Sequence, residues 1–298
     1  MHASDVKFYK YLSPEASVSV LQNKTLRWSS PKLFNDPFDF PSEIDFSFDS
    51  NELADALMEE IVRIVYGSDE PSGNVEHPLF AMSLMARINS DKPGAGVEVF
   101  RRHMTPAMEE LTNNFKQGRD GLRAFYRSYR DRFAVLSVTK KYDNLLMWAH
   151  YAKDHSGCVF KFRCLPEKDR PLCMAQEVKY QSEYPLMVDN IQDYVKHLTG
   201  QVELNYDDLF KIFALTKSKH WKYEEEWRCI SLLRDYESGF HYDLMIPEEL
   251  EAVYLGCRID KPIKDKVMDQ ILTQFPNAQV YQVHTDIQNY GLTFKKIR

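Results

Sequence analysis

From Asn51 to about Arg132 the apolar residues recur at helical spacing, while the stretches on either side alternate in the manner of short strands. This contrast points to an α+β fold with helices inserted between strand-forming segments. "NELADALMEEIVRIVYG" opens the helical block, with Asn51 as its N-cap. "HPLFAMSLMARINS", "VEVFRRHMTPAMEELTNNFKQ" and "GLRAFYRSYRDRF" continue it, with a break at "DKPGAG", so three or four helices are expected. Its arginines, Arg119, Arg123, Arg127, Arg130 and Arg132, read as a solvated face rather than a nucleic-acid stripe.

Outside that block strands dominate. "DVKFYKYLS" and "TLRWSS" flank a helix opened by Ser13 as N-cap and Pro14 at its first position. "PKLFNDPFDF" is a loop by its Pro, Asn and Asp content. "AVLSVTK", "GCVFKF", "MAQEVKYQ", "EWRCISLL", "FHYDLMI", "EAVYLG", "AQVYQVH" and "GLTFKKI" are strand-like. "NLLMWAHYAKDH", a stretch from about Tyr184 to Lys217, and "DKPIKDKVMDQILTQF" are helical. No repeat, low-complexity segment or flexible linker divides the chain. The expectation is one α+β domain over residues 1–298, with the insertion at 51–132 inside it.

The 298 residues are 44% hydrophobic and 13% aromatic, enough for a sizeable core. A net charge of −6 argues against broad, charge-driven nucleic-acid binding. The five cysteines form no Cys-x-x-Cys pair and show no zinc spacing, so free thiols in a reducing compartment are expected. There is no apolar signal core and no window of about 18 apolar residues, which points to a cytoplasmic protein without a membrane span.

Three places can carry chemistry. In "FNDPFD", Asn35, Asp36 and Asp39 form turns and Pro37 stiffens the backbone. The loop is either an ordered turn plugged by Phe34 and Phe38 or a ligand-facing loop just after Ser29 and Ser30. In "MWAHYAKDHSG", His150 and Asp154 share a helix face that Gly157 ends, and His150 or Tyr151 can face a pocket. In "HWKYEEEWRCISLL", a strand would put Glu224 and Glu226 on one face and Glu225 on the other. Such a pair pushes one pKa upward, which suits a general base. The alternative is a salt-bridge cluster with Lys217, Lys219, Lys222 and Arg228.

"KFYKYLS", "TLRWSSPKLFNDPFD", "LLMWAHYAKDHSGCVFKF" and "KSKHWKYEEEWR" occur in this order. Together they resemble a largely bacterial family catalogued as domain of unknown function 2971. More distantly the pattern resembles the ADP-ribosyltransferase fold, which holds NAD in a cleft between two small sheets. The resemblance implies a small two-sheet core with helical insertions. It also implies a nicotinamide-ribose contact at Tyr9, Lys10 or Tyr11, although this early strand lacks the usual His or Arg. Ser29, Ser30, Asn35 and Asp36 would line the nicotinamide pocket. Glu226 would be the catalytic glutamate, with Glu224 two residues before it. Trp221, Tyr223 and Trp227 would exclude water and stack on the ring. Trp148, His150, Tyr151 and Arg228 complete the implied NAD contacts, and His155 is a further candidate for the ribose side.

The function so implied is NAD consumption: cleavage of the nicotinamide–ribose bond, with transfer of ADP-ribose to a protein or nucleic-acid acceptor or to water. A defence or toxin role fits such chemistry. No Gly-x-Gly-x-x-Gly fingerprint is present, so a Rossmann-type dehydrogenase is not expected. Two other classes stay open. One is a non-catalytic module that binds a nucleotide or peptide. The other is a nuclease or hydrolase holding Mg²⁺ on Asp36, Asp39, Glu224 and Glu226.

Overall fold

The computed structural model describes residues 6–90, 96–205 and 211–298. It is a mixed α+β structure whose backbone contacts separate two compact units. The first comprises residues 1–40, 129–184 and 214–298; the second comprises 41–128 and 185–213.

The first unit is built on a ten-stranded sheet. Strands β1 (Lys7–Leu12), β2 (Thr25–Ser29), β3 (Phe133–Thr139) and β4 (Cys158–Arg163) form its middle. β9 (Phe240–Leu244) extends it beyond β2; β10 (Leu250–Leu255), β11 (Gln279–Thr285) and β12 (Leu292–Lys296) extend it beyond β4. β8 (Glu226–Leu232) pairs with β3 along its whole length, and β5 (Gln176–Glu177) with β8. Neighbours are antiparallel except β10 and β11, which helix α7 (Lys261–Gln274) joins as a parallel crossover. A separate two-stranded ribbon pairs β6 (Lys179–Gln181) with β7 (Thr216–Ser218).

The sheet forks at β3. β8 occupies one edge of β3, so β1 and β2 share the other. β2 touches it at Ser29↔Val135 and β1 at Tyr9↔Thr139. Ser137 lies between those two contacts. Its carbonyl accepts a hydrogen bond from Lys10 Nζ (2.8 Å), so a side chain fills the gap the diverging strands leave.

Helix α1 (Pro14–Asn23) starts as the sequence predicts: Ser13 Oγ accepts from Ala16 N, and Pro14 follows. α1 and α7 cover one face of the sheet, where Leu21, Val267, Ile271 and Phe275 pack with Phe8, Phe160, Phe162 and Val253. Each large apolar side chain buried there contributes about 1.5–3 kcal/mol. The short helix α5 (Leu145–Tyr151), capped by Asn144, packs on β1 beside Tyr9, Tyr11, Trp148, Val159 and Tyr254.

After α5 the chain departs from the sequence reading. The helix stops at Tyr151, and Lys153, Asp154 and His155 turn left-handed in succession (φ 46°, 55° and 66°). Asp154 therefore shares no helix face with His150, and Gly157 lies well past the end. The turn is held by Asp154 N and His155 N donating to the Ala149 and Trp148 carbonyls (3.0 and 3.1 Å) and by His155 stacking on Trp148. Gly157 then passes so close to β1 that an added Cβ would stand 2.0 Å from the Leu12 carbonyl oxygen. Gly157→Ala is expected to cost about 1–3 kcal/mol through forced backbone movement. Urea unfolding of the variant checks this; an unchanged midpoint would contradict the close approach.

In the second unit, helix α2 (Ser50–Tyr66) is capped by Asp49 rather than Asn51. Asp49 Oδ1 accepts from the backbone N–H groups of Asn51 and Glu52, while Glu52 returns a bond to Asp49 N (2.8 Å). The sequence reading missed the reciprocal Asp–Glu box one position upstream of the helix. α3 (Pro78–Ile88) follows. The two helical segments expected next form one 34-residue helix, α4 (Val97–Arg130). Pro106, Gly118 and Gly121 do not break it; each glycine costs only about 1 kcal/mol, which the flanking helix formers outweigh. The predicted break at Asp91–Gly96 lies almost wholly outside the described residues. The expected helical stretch from Tyr184 to Lys217 yields α6 (Ile191–Leu198), includes undescribed residues 206–210, and ends in strand β7. Two of the arginines pair with acids: Arg123 with Asp45, and Arg127 in two-pronged fashion with Glu43. Among the described residues no helix is long and apolar enough to cross a membrane.

Candidate functional site

Beside the fork lies a half-open cavity of about 130 Å³. Tyr9, Lys10 and Tyr11 reach it from β1, Ser137, Val138 and Thr139 from β3, and Met147 and Tyr151 from α5. Phe34, Asn35 and Asp39 come from the loop after β2. Lys217, Glu224 and Glu226 complete its lining. Asn35 is exposed at the rim.

Glu224 and Glu226 do meet, but by another route than the expected strand pleat. Strand β8 begins only at Glu226. Residues Lys219–Glu224 form a 3-10 turn closed by Glu225 in the left-handed conformation (φ 43°). That reversal leaves Glu225 in solvent and turns both neighbours inward, where they are 3% and 5% exposed.

The buried acids are matched by buried cations. Lys217 Nζ lies 2.6 Å from Glu224, 3.1 Å from Glu226 and 3.3 Å from Asp39. Arg228, fully buried, grips both oxygens of Glu226 (2.8 and 3.0 Å) and reaches Asp39 (2.6 Å) and the Ala214 carbonyl (2.8 Å). Lys219 and Lys222, also candidates for the cluster, contribute no ion pair to it among the described residues. Tyr151 donates to Glu224 at 2.5 Å, and Tyr180 Oη accepts from Glu226 N. For the Mg²⁺ reading this geometry has a consequence: the Lys217 ammonium already sits among Asp39, Glu224 and Glu226. Asp36 is elsewhere, accepting from Phe38 N and from Trp221 Nε1. Among the described residues no cluster of His, Cys, Asp and Glu has the geometry to hold a metal ion.

The two glutamates titrate apart. Burial raises Glu224, and the Lys217 ammonium only partly offsets it, so its pKa stays above the ordinary carboxylate value. Burial also opposes ionisation of Glu226, but Arg228 and Lys217 overcome it and hold this carboxyl well below that value. A carboxylate depressed in the folded state contributes stability that is complete above its unfolded pKa of about 4.3 and is lost as pH falls toward the folded pKa. Wild-type protein should therefore lose stability below about pH 4 more steeply than Glu226→Gln. Urea midpoints measured from pH 6 to 3 test this; parallel acid limbs would contradict it.

Of the residues singled out from sequence, the cavity gathers Tyr9, Lys10, Tyr11, Asn35, Tyr151, Glu224 and Glu226. It also takes in Phe34 and Asp39 of the loop and Lys217 of the basic run, and the remaining candidates stand outside its lining. Ser29 is a β2 pairing residue, and Ser30 is buried with its Oγ on the Asp131 carbonyl. Trp148 is core, with its Nε1 on the Tyr142 carbonyl. His150 is exposed. Tyr223 offers its carbonyl to Asn144 Nδ2, and Arg228 stands behind the wall. Residues 147–229 match the model of a family described as a protein of unknown function, DUF2971. This is the family the four motifs resemble. The matched segment carries Tyr151, Lys217, Glu224, Glu226 and Arg228, whereas β1 and the Phe34–Asp39 loop lie before it. No curated protein and no solved structure matches the chain. The structure adds Thr139, an ordinary strand residue by its sequence, to the cavity lining, and it pairs Lys217 and Arg228 with the glutamates, as the salt-bridge alternative expects.

Proposed function

We propose that the chain is an NAD-consuming enzyme of ADP-ribosyltransferase type, which cleaves the nicotinamide–ribose bond at this cavity. The observation that carries the reading is the pair Glu224 and Glu226, buried on the wall of one half-open hollow and pushed apart in proton affinity. A separation of this kind sets two carboxyl groups to different tasks. Departure of nicotinamide leaves positive charge on the ribose. Glu226, held ionised, supplies a fixed negative field to that charge where water is scarce. Glu224, which keeps its proton more readily, is suited to a sugar hydroxyl. Tyr9, Tyr11 and Phe34 offer aromatic surface to the nicotinamide ring. The cavity is below the roughly 300–1,000 Å³ of whole-ligand pockets, so it would take one ring or one sugar, with the rest of the dinucleotide outside. The divergence of β1 and β2 from one edge of β3 supports an ADP-ribosyltransferase-like core, in which such strands flank the cleft. ADP-ribose would pass to water or to a protein or nucleic-acid acceptor.

Purified protein incubated with NAD should release nicotinamide, measured by chromatography. Absence of release, with and without cell extract as a source of acceptors, would overturn the reading. A non-catalytic nucleotide-binding module is the second reading, favoured by the ion pairs that already engage both glutamates. It predicts a thermal shift with NAD and no turnover.

A further inference from the structure

Lys10 differs from the other cations of the site. Lys217 stands among three carboxylates, and Arg228 grips two. The Lys10 amine donates to a neutral acceptor, the Ser137 carbonyl, and among the described residues no carboxylate lies within ion-pairing distance of it. It nonetheless lines the cavity, half-buried, at the fork where β1 leaves β3. An amine placed there is not needed to neutralise an acid. A neutral amine can keep one N–H on Ser137 and turn its lone pair toward the cavity.

We propose that Lys10 is a nucleophile for small carbonyl compounds, forming an imine with a hydroxyaldehyde or the open-chain form of a sugar in the cavity beside the β3 fork. The inference rests on the site's geometry and does not require NAD cleavage. In the first step the Nζ lone pair adds to the carbonyl carbon, and a proton passes from nitrogen to oxygen, giving a carbinolamine. The hydroxyl then leaves as water with a proton taken from solvent in the half-open cavity. The resulting iminium returns a proton to solvent. The balance is amine plus aldehyde to imine plus water, with no oxidant or reductant.

The surroundings favour the neutral amine. Burial lowers the Lys10 pKa to about 8, with Glu226 on β8 opposing and Arg27 on β2 adding to the fall. Cys229 on β8 faces it too, as a thiol that burial keeps protonated to about 12. On its own strand, Tyr9 is also held protonated to about 12, and burial raises Tyr11 as well, so neither adds charge at neutral pH. An ordinary exposed lysine titrates near 10.4, so at pH 7 Lys10 offers roughly 200 times more free amine. The cavity volume suits a two- to five-carbon carbonyl compound.

The test is reductive trapping on the wild-type protein. Glycolaldehyde and cyanoborohydride are added at pH 7, and modification is followed at each lysine by peptide mass spectrometry. Lys10 should be trapped at least about tenfold faster than the exposed Lys295 and Lys296, given its larger share of free amine. Its rate should level off above about pH 8, while theirs continues to climb. Because all rates come from one folded sample, no variant has to fold for the comparison to hold. Trapping of Lys10 at or below the surface rate, or a rate still rising past pH 9, would overturn the proposal. Nicotinamide release plays no part in this readout, so the two readings fail separately.

Discussion

Arg228→Met is expected to destabilise the first unit by about 3–5 kcal/mol. The guanidinium is fully buried and answers two acids, Asp39 and Glu226. Methionine fills much of the same space, so the loss measures stranded charge rather than a hole. Lys217 remains within reach of both acids and relieves only part of the cost. Removing Arg228 together with both of its acids, as Asp39→Asn, Glu226→Gln and Arg228→Met, should recover most of the stability, because it leaves Lys217 paired with Glu224 and no charge stranded. Urea denaturation of the single and triple variants gives both numbers. A single variant within 1 kcal/mol of wild type would mean that solvent reaches the cluster.

Glu226→Gln should reduce nicotinamide release from NAD by about 100- to 1,000-fold, the usual cost of losing one aligned electrostatic group. The substitution keeps size and one acceptor oxygen and removes the negative charge. Tyr151→Phe should have a smaller effect, since the hydroxyl it removes bonds Glu224 and not Glu226. Progress curves at saturating NAD, with folded protein confirmed by circular dichroism, separate loss of chemistry from loss of structure. Equal rates for wild type and Glu226→Gln would remove Glu226 from the reaction.

How far the sequence reached can be judged from these same residues. Strands such as β1, β4 and β10 were legible because their apolar patterns and turn-forming flanks are strong and local. The meeting of Glu224 and Glu226 was legible for the wrong reason. An i, i+2 spacing suggests a pleat, but the chain uses a 3-10 turn and a left-handed Glu225, which no propensity scale assigns to glutamate. The tight reversal at Lys153–His155 escaped for the same cause: tertiary contacts to Trp148 and β1 impose it. Trp221 and Tyr223 were placed over a ligand because aromatics beside acids suggest a stacking wall. In the structure the Trp221 ring N–H is committed to Asp36. Lys217 could not be picked from Lys217, Lys219 and Lys222 without knowing that β7 sits beside the 3-10 turn before β8. The pairing of Arg228 with Asp39, 189 residues away, is decided by the whole fold, and local pattern carries no record of it.

The strand order also bears on how the protein is made. β4, residues 158–163, is paired on one side by residues 7–12 and on the other by residues 250–255. A ribosome must therefore deliver most of the chain before this central ribbon is covered on both flanks. Until then Val159, Phe160 and Phe162 offer an adhesive edge to any passing strand. Such far-separated partners slow productive assembly and leave time for misassociation. Yield in a living host should thus respond to chaperone supply and to growth temperature more than the finished molecule's own robustness would suggest.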